Sequence, residues 1–149
     1  MEDLKKSLCI YVAYLRFLYL IHQNNHWTCK GKNFYQYHLL FERLYSSAQS
    51  DADMAAEKIV GLYGSGTLSL AAQSECIGTI LTKLKPSADD LVKLSLDAEL
   101  AFAAYSEKLY GLMKAEKSFS LGMDNMMMSI YDRREEARYL LSQSLDSTD

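Results

Sequence analysis

Proline occurs once among the 149 residues, at Pro86, and glycine seven times. So few turn-formers leave little room for the closely spaced reversals of an all-β fold. Clustered positive charge is also missing. No Lys/Arg tract exceeds two or three residues and the formal net charge is −3, so electrostatics give no push toward nucleic acid or an anionic membrane. The three cysteines (Cys9, Cys29 and Cys76) are odd in number, widely spaced and form no CxxC. They argue against a disulfide frame or a thiolate zinc site, and read as buried thiols in a reducing compartment. No apolar run is long enough to span a bilayer. Leu8 to Ile21 follows Glu2 and Asp3, carries Arg16 in its middle and precedes no small-residue cleavage site, so a buried helix is expected there. The expectation is a single domain over residues 1–149, cytoplasmic, with no membrane segment. Such a domain buries roughly two-thirds of its unfolded surface.

Helical periodicity fills the chain instead. Apolar side chains at Leu4, Leu8, Tyr11, Val12, Leu15, Leu18 and Tyr19 recur every three or four residues and predict a first helix over about residues 3–29. Gly31 suits its C′ position, and Asn33 with Gln36 resembles a capping box opening a second helix. That helix runs to about Tyr63, where Gly61, Gly64 and Gly66 break the pattern. Residues 67–85 are mixed and predict a long crossover holding a short helix. Ser87 with Asp90 caps a third bundle helix, "LVKLSLDAELAFAAYSEKLYGLMKAE", and a fourth covers roughly 121–145 before the polar tail "SQSLDSTD". There is no internal repeat. The fold class is all-α: four long helices, a tight first turn and one long connection carrying a short extra helix between helices two and three. By analogy this is the topology of ferritin-like bundles. Loop length alone does not separate it from a cytokine-like bundle or a plain helical adaptor.

Di-iron bundles of that class project Glu-x-x-His pairs into the core. Glu135 and Glu136 are followed by Arg138 and Tyr139, and no Glu-x-x-His occurs anywhere, so a metal site inside one bundle is unsupported. A different set remains. His26 and His38 flank the Gly31 turn, so an antiparallel hairpin brings them close; Asp53 and Glu57 stack at i, i+4 on the second helix. Asp53 lies fifteen residues beyond His38, or about 22 Å along a helix rising about 1.5 Å per residue. Metal bonds are about 2.0–2.2 Å long, so one chain does not bring both pairs to one ion. If all four are ligands, the site lies between subunits. A two-fold axis with antiparallel second helices sets the His pair of one chain against the carboxylate pair of the other, twice per dimer. Imidazole and carboxylate together suit Fe(II), with Zn and Mn as competitors.

"NHWTCKGKNFYQYH…FERLY…DADMAAEKIVGLYG" resembles the Dps-type mini-ferritins, the DNA-protection proteins of starved cells. Their pattern is H-W-x-x-x-G-x-x-F-x-x-x-H, then D-x-x-x-E fifteen residues on. His26, Trp27, Gly31, Phe34, His38, Asp53 and Glu57 keep every spacing. The resemblance implies that His26 and His38 bind iron with Asp53 and Glu57 of a two-fold mate. Glu42 falls where the family has an acidic residue near a second iron, and Trp27 would sit against the iron centre. It further implies a homo-oligomer, a hollow shell of twelve subunits. Such a shell oxidises Fe(II) with hydrogen peroxide by preference, or with dioxygen, and stores the ferric product. Asp124 and Asp132 align with a three-fold iron channel, with a solvated face as the alternative. There are departures. Only Lys5 and Lys6 stand where many members have a basic DNA-holding tail, and "MDNMMMSIYDRREEARYLL" replaces a more aliphatic stretch.

Three functional readings follow. The first is a ferroxidase that couples Fe(II) oxidation to peroxide reduction. The second is a scaffold component that keeps the bundle and uses the ligands little, and the third is a DNA compactor. Intact ligand spacing argues against the scaffold, and the charge and missing tail argue against DNA binding. His22 is expected to be a solvated or hydrogen-bonded side chain, with a transient entry role, or one supporting the iron ligands from behind, as the alternative for its i, i+4 relation to His26. The Met126-Met127-Met128 run is expected to be core packing. The eleven tyrosines are expected mostly at the core and interfaces.

Overall fold

A computed structural model describes residues 2–84, 90–117 and 119–145. Five α-helices account for nearly all of them: α1 Glu2–Thr28, α2 Phe34–Tyr63, α3 Leu70–Leu84, α4 Leu91–Lys114 and α5 Leu121–Ser144. The described residues contain no strand. Helices α1, α2, α4 and α5 form the four-helix bundle, and α3 lies in the crossover between its two hairpins.

The periodic positions of α1 are the ones that disappear from solvent. Leu8, Tyr11, Leu15 and Leu18 are fully buried and pack with Ile59 of α2, Phe102 and Leu109 of α4, and Met123 and Ile130 of α5. Each large side chain taken out of water contributes about 1.5–3 kcal/mol. A smaller cluster of Cys29, Phe41, Leu44, Val92, Ala137 and Leu141 closes the end that carries the first turn. Met126 and Met127 join the core as expected, but Met128 is about half exposed. No helix among the described residues is long and apolar enough to cross a membrane.

The first turn differs from expectation in its chemistry. Gly31 takes a positive φ of 98°, which an L side chain resists. The Asn33 side chain makes no capping bond, so the expected box with Gln36 does not form. With φ −106° and ψ 26°, Asn33 sits outside the extended region that aims an N-cap side chain at the following amides. Backbone bonds take over: Phe34 N–H donates to Gly31 O and Tyr37 N–H to Asn33 O, both at 3.1 Å.

In the crossover, Gly64 has φ 95° and ends α2 in a 3-10 turn over Ser65–Thr67. Helix α3 then runs 15 residues and is the short extra helix expected between helices two and three. Its inward stripe of Gln73, Ile77, Ile80 and Leu84 has helical spacing but a polar member. Arg16 of α1 donates to Gln73 Oε1 at 2.7 Å and makes that position a contact to the bundle. Asp90 is the N-cap of α4, accepting from Lys93 N–H at 2.9 Å. Its expected companion Ser87 lies outside the described residues.

Candidate metal centre

His26, in the last turn of α1, and His38, in the first turns of α2, face each other across the Gly31 turn. Their rings stack with centroids 3.8 Å apart and planes 16° apart. The pairing is reciprocal. His26 Nδ1 lies 2.8 Å from His38 O, and His38 Nδ1 lies 2.8 Å from His26 O. A carbonyl oxygen only accepts, so each Nδ1 carries its proton and donates. In the neutral ring the lone pair is therefore on Nε2, and neither Nε2 has a hydrogen-bond partner among the described residues. A second hydrogen bond that fixes the tautomer is how proteins hold metal-ligating imidazoles. Phe34 stacks on the outer face of His38 at 4.9 Å, and Tyr45 meets His26 edge-on at 5.2 Å.

The other expected residues lie elsewhere on the surface. Asp53 and Glu57 are exposed on α2 and line a shallow groove with Ser50, Met54, Gly61 and Leu62. The helix between them and His38 is unbroken, so the separation stays near about 22 Å at about 1.5 Å per residue. Glu42 is exposed one turn beyond His38. Trp27 is 66% exposed and does not cover the His pair within this chain. Among the described residues no group of three or more His, Cys, Asp or Glu side chains is placed to hold a metal ion. Asp124 accepts from Tyr110 O–H at 2.7 Å, and Asp132 is exposed on α5.

His22 faces the other way. It is fully buried, with Nε2 2.9 Å from Glu99 Oε1 and Nδ1 3.0 Å from Ser95 Oγ. The entry and ligand-supporting roles weighed from its spacing to His26 are thereby overturned, because α1 turns His22 into the bundle, where it bonds Glu99 and Ser95. A carboxylate accepts, so Nε2 donates and Ser95 O–H donates to Nδ1; Asn25 Nδ2 in turn donates to Ser95 at 2.8 Å. Arg134 of α5 lies 3.4 Å from Glu99 and 3.5 Å from Asp51 of α2, all three buried. The Arg133 Nε–H closes the chain on Asp51 Oδ1 at 2.7 Å. Burial holds His22 below the usual imidazole range despite Glu99, with Arg134 adding to the depression. Burial also lifts the Asp51 carboxyl above its usual range, against the pull of Arg134 and Arg133. Sequence reasoning missed this four-helix network. Glu99 and Arg134 stand in charged stretches that look like solvated faces; the one available signal was that both occupy inward helical positions.

A ferritin-like domain family matches residues 8–149. The chain belongs to the ferritin-like family. The ferritin-like chain is 25% identical over 141 residues to General stress protein 20U of Bacillus subtilis (strain 168), covering 94% of this chain and 95% of that one. It is 40% identical over 58 residues to the DNA protection during starvation protein of Brevibacillus brevis, a match spanning 39% of each. The fold is that of Dps from Thermosynechococcus elongatus: the TM-score is 0.81 at 18% identity, with 99% of this chain and 93% of that chain covered. The resemblance to the Dps-type mini-ferritins stands.

Proposed function

We propose that this chain is the subunit of an iron-storing ferroxidase that protects against oxidative damage. The observation that carries the reading is the reciprocal His26–His38 lock. It turns two imidazoles into a rigid pair of Nε2 donors, set about 22 Å along α2 from an exposed carboxylate pair. Antiparallel α2 helices across a two-fold axis bring the His pair of one subunit to Asp53 and Glu57 of its mate. Glu42 then stands close enough to take a second iron or its water, and Trp27 is covered by the partner. Two carboxylates and two imidazoles bind Fe(II), favour Fe(III) through their anionic charge and leave positions open for oxidant. Two Fe(II) reduce one hydrogen peroxide, with two protons, to two waters. Supplying both electrons at one site avoids releasing hydroxyl radical. Dioxygen is the alternative oxidant. Exposed Met54 and Leu62 beside Asp53 and Glu57 support subunit pairing on this face, and we infer a hollow, twelve-subunit shell that keeps the ferric product.

The test is Fe(II) oxidation by the metal-free protein at about neutral pH, with peroxide and with air in separate arms, alongside solution mass. Growth of ferric absorbance well above a protein-free control, lost in His26→Ala/His38→Ala, is the expected result. Rates equal to the control, or unaffected by removing either ligand pair, would overturn the reading.

A further inference from the structure

We propose that Cys29 is a positioning residue for the histidine pair. Its thiol clamps the two ends of the first turn and so holds His26 and His38 ready for metal. The role rests on the ferroxidase reading, since it concerns the same two imidazoles. Helix α1 ends at Thr28, which leaves the carbonyls of its last turn without amides further along the helix. The His26 carbonyl is one of these, and among the described residues no backbone N–H outside the helices reaches it. Two side chains satisfy it instead. His38 Nδ1–H donates to it at 2.8 Å, the bond that fixes the His38 tautomer, and Cys29 Sγ–H donates to the same oxygen at 3.6 Å. The Cys29 sulfur also lies 3.9 Å from Phe34 O, in the first residue of α2. One thiol therefore touches both strands of the turn, and touches the carbonyl on which the lock of His38 depends.

The rest of the turn has little else to hold it. Nothing stands within 4 Å of where a Cβ on Gly31 would be, and the Asn33 side chain makes no capping bond. Cys29 is 7% exposed and belongs to the buried cluster that contains Val92 of α4 and Ala137 and Leu141 of α5. The thiol is thus anchored by the hairpin that carries none of the expected metal ligands, and it passes that anchorage to the two that face each other. An S–H is a weak donor, so its effect is on where the imidazoles stand and not on their basicity. A pair already ordered loses less freedom when metal binds, which raises affinity without adding a metal bond.

The test titrates metal-free protein with Co(II), read by calorimetry and by visible d–d absorption. Wild type should bind through nitrogen and oxygen with no sulfur-to-metal charge-transfer band, and His26→Ala/His38→Ala should lose this binding. Cys29→Ala should bind about tenfold more weakly, as loss of a partner outside the ligand shell does, and Cys29→Ser should recover most of that loss. Serine fills no more apolar space than alanine but keeps a donor, so recovery by serine is what packing alone does not give. If Cys29→Ala loses its helical circular dichroism, Cys29→Val, which fills the place without a donor, is compared with Cys29→Ser instead. Equal affinity in wild type and the donor-less variant would overturn the proposal, as would equal loss in that variant and Cys29→Ser. A sulfur-to-metal band in wild type would make Cys29 a ligand and overturn it too. Those outcomes leave the ferroxidase reading standing. Co(II) binding that survives His26→Ala/His38→Ala would overturn that reading and this role with it.

Discussion

Mixing two inactive variants tests the two-chain site most directly. His26→Ala/His38→Ala lacks both imidazoles, and Asp53→Ala/Glu57→Ala lacks both carboxylates; each homodimer then has no complete site. The unbroken helix between His38 and Asp53 holds the pairs about 22 Å apart within one chain, roughly ten metal-bond lengths. No rotamer change spans that gap, so complementation requires a second subunit. In a mixed dimer, one interface joins native His to native carboxylates and the other joins two empty half-sites. Random reassociation of equal amounts makes about half the dimers mixed, so the preparation should recover roughly a quarter of wild-type sites. The variants are co-expressed with different tags, mixed dimers are isolated by tandem affinity, and initial Fe(II) oxidation rates are read with peroxide. Purified mixed dimers should reach about half the wild-type rate per dimer. No recovery in verified mixed dimers would refute the geometry, as would near-native activity in either homodimer.

Phe102 is fully buried against Tyr11, with ring centroids 5.5 Å apart. Phe102→Ala should cost about 3–5 kcal/mol, read from urea midpoints, and a loss under about 1 kcal/mol would mean the core is packed otherwise. Stability should also fall on mild acidification through His22. Its folded imidazole is held below the unfolded value of about 6.5, so the unfolded chain takes up the proton first. The His22 contribution is complete above that unfolded value and is lost as pH falls through the lower folded one. His22→Gln should flatten the urea-midpoint profile between about pH 7.5 and 5, and parallel profiles for variant and wild type would count against the assignment. DNA binding should be absent at about 0.15 M salt, because a chain of net charge −3 offers few clustered cations for counterion release. A gel shift persisting at that salt would show that the assembled surface concentrates charge.

The sequence by itself determined the helices and the spacing of the chemistry. A 3.6-residue apolar period is a local signal, so α1, α2, α4 and α5 were legible to within a residue or two. If His26, His38, Asp53 and Glu57 hold one ion, their intervals call for a second chain, because helix rise converts residue number into distance. Tertiary structure decided the rest. The Asn33 capping box failed because the tight turn sets the backbone angles of Asn33, whatever side chain is there. That Gln73 of α3 faces the bundle was hidden, because its burial depends on Arg16 reaching it from another helix. Most of all, only the packed bundle shows that His22, Asp51, Glu99 and Arg134 meet in the interior. Whether a charged residue on an amphipathic helix is solvated or buried depends on what stands opposite it, and that partner comes from another helix of the fold.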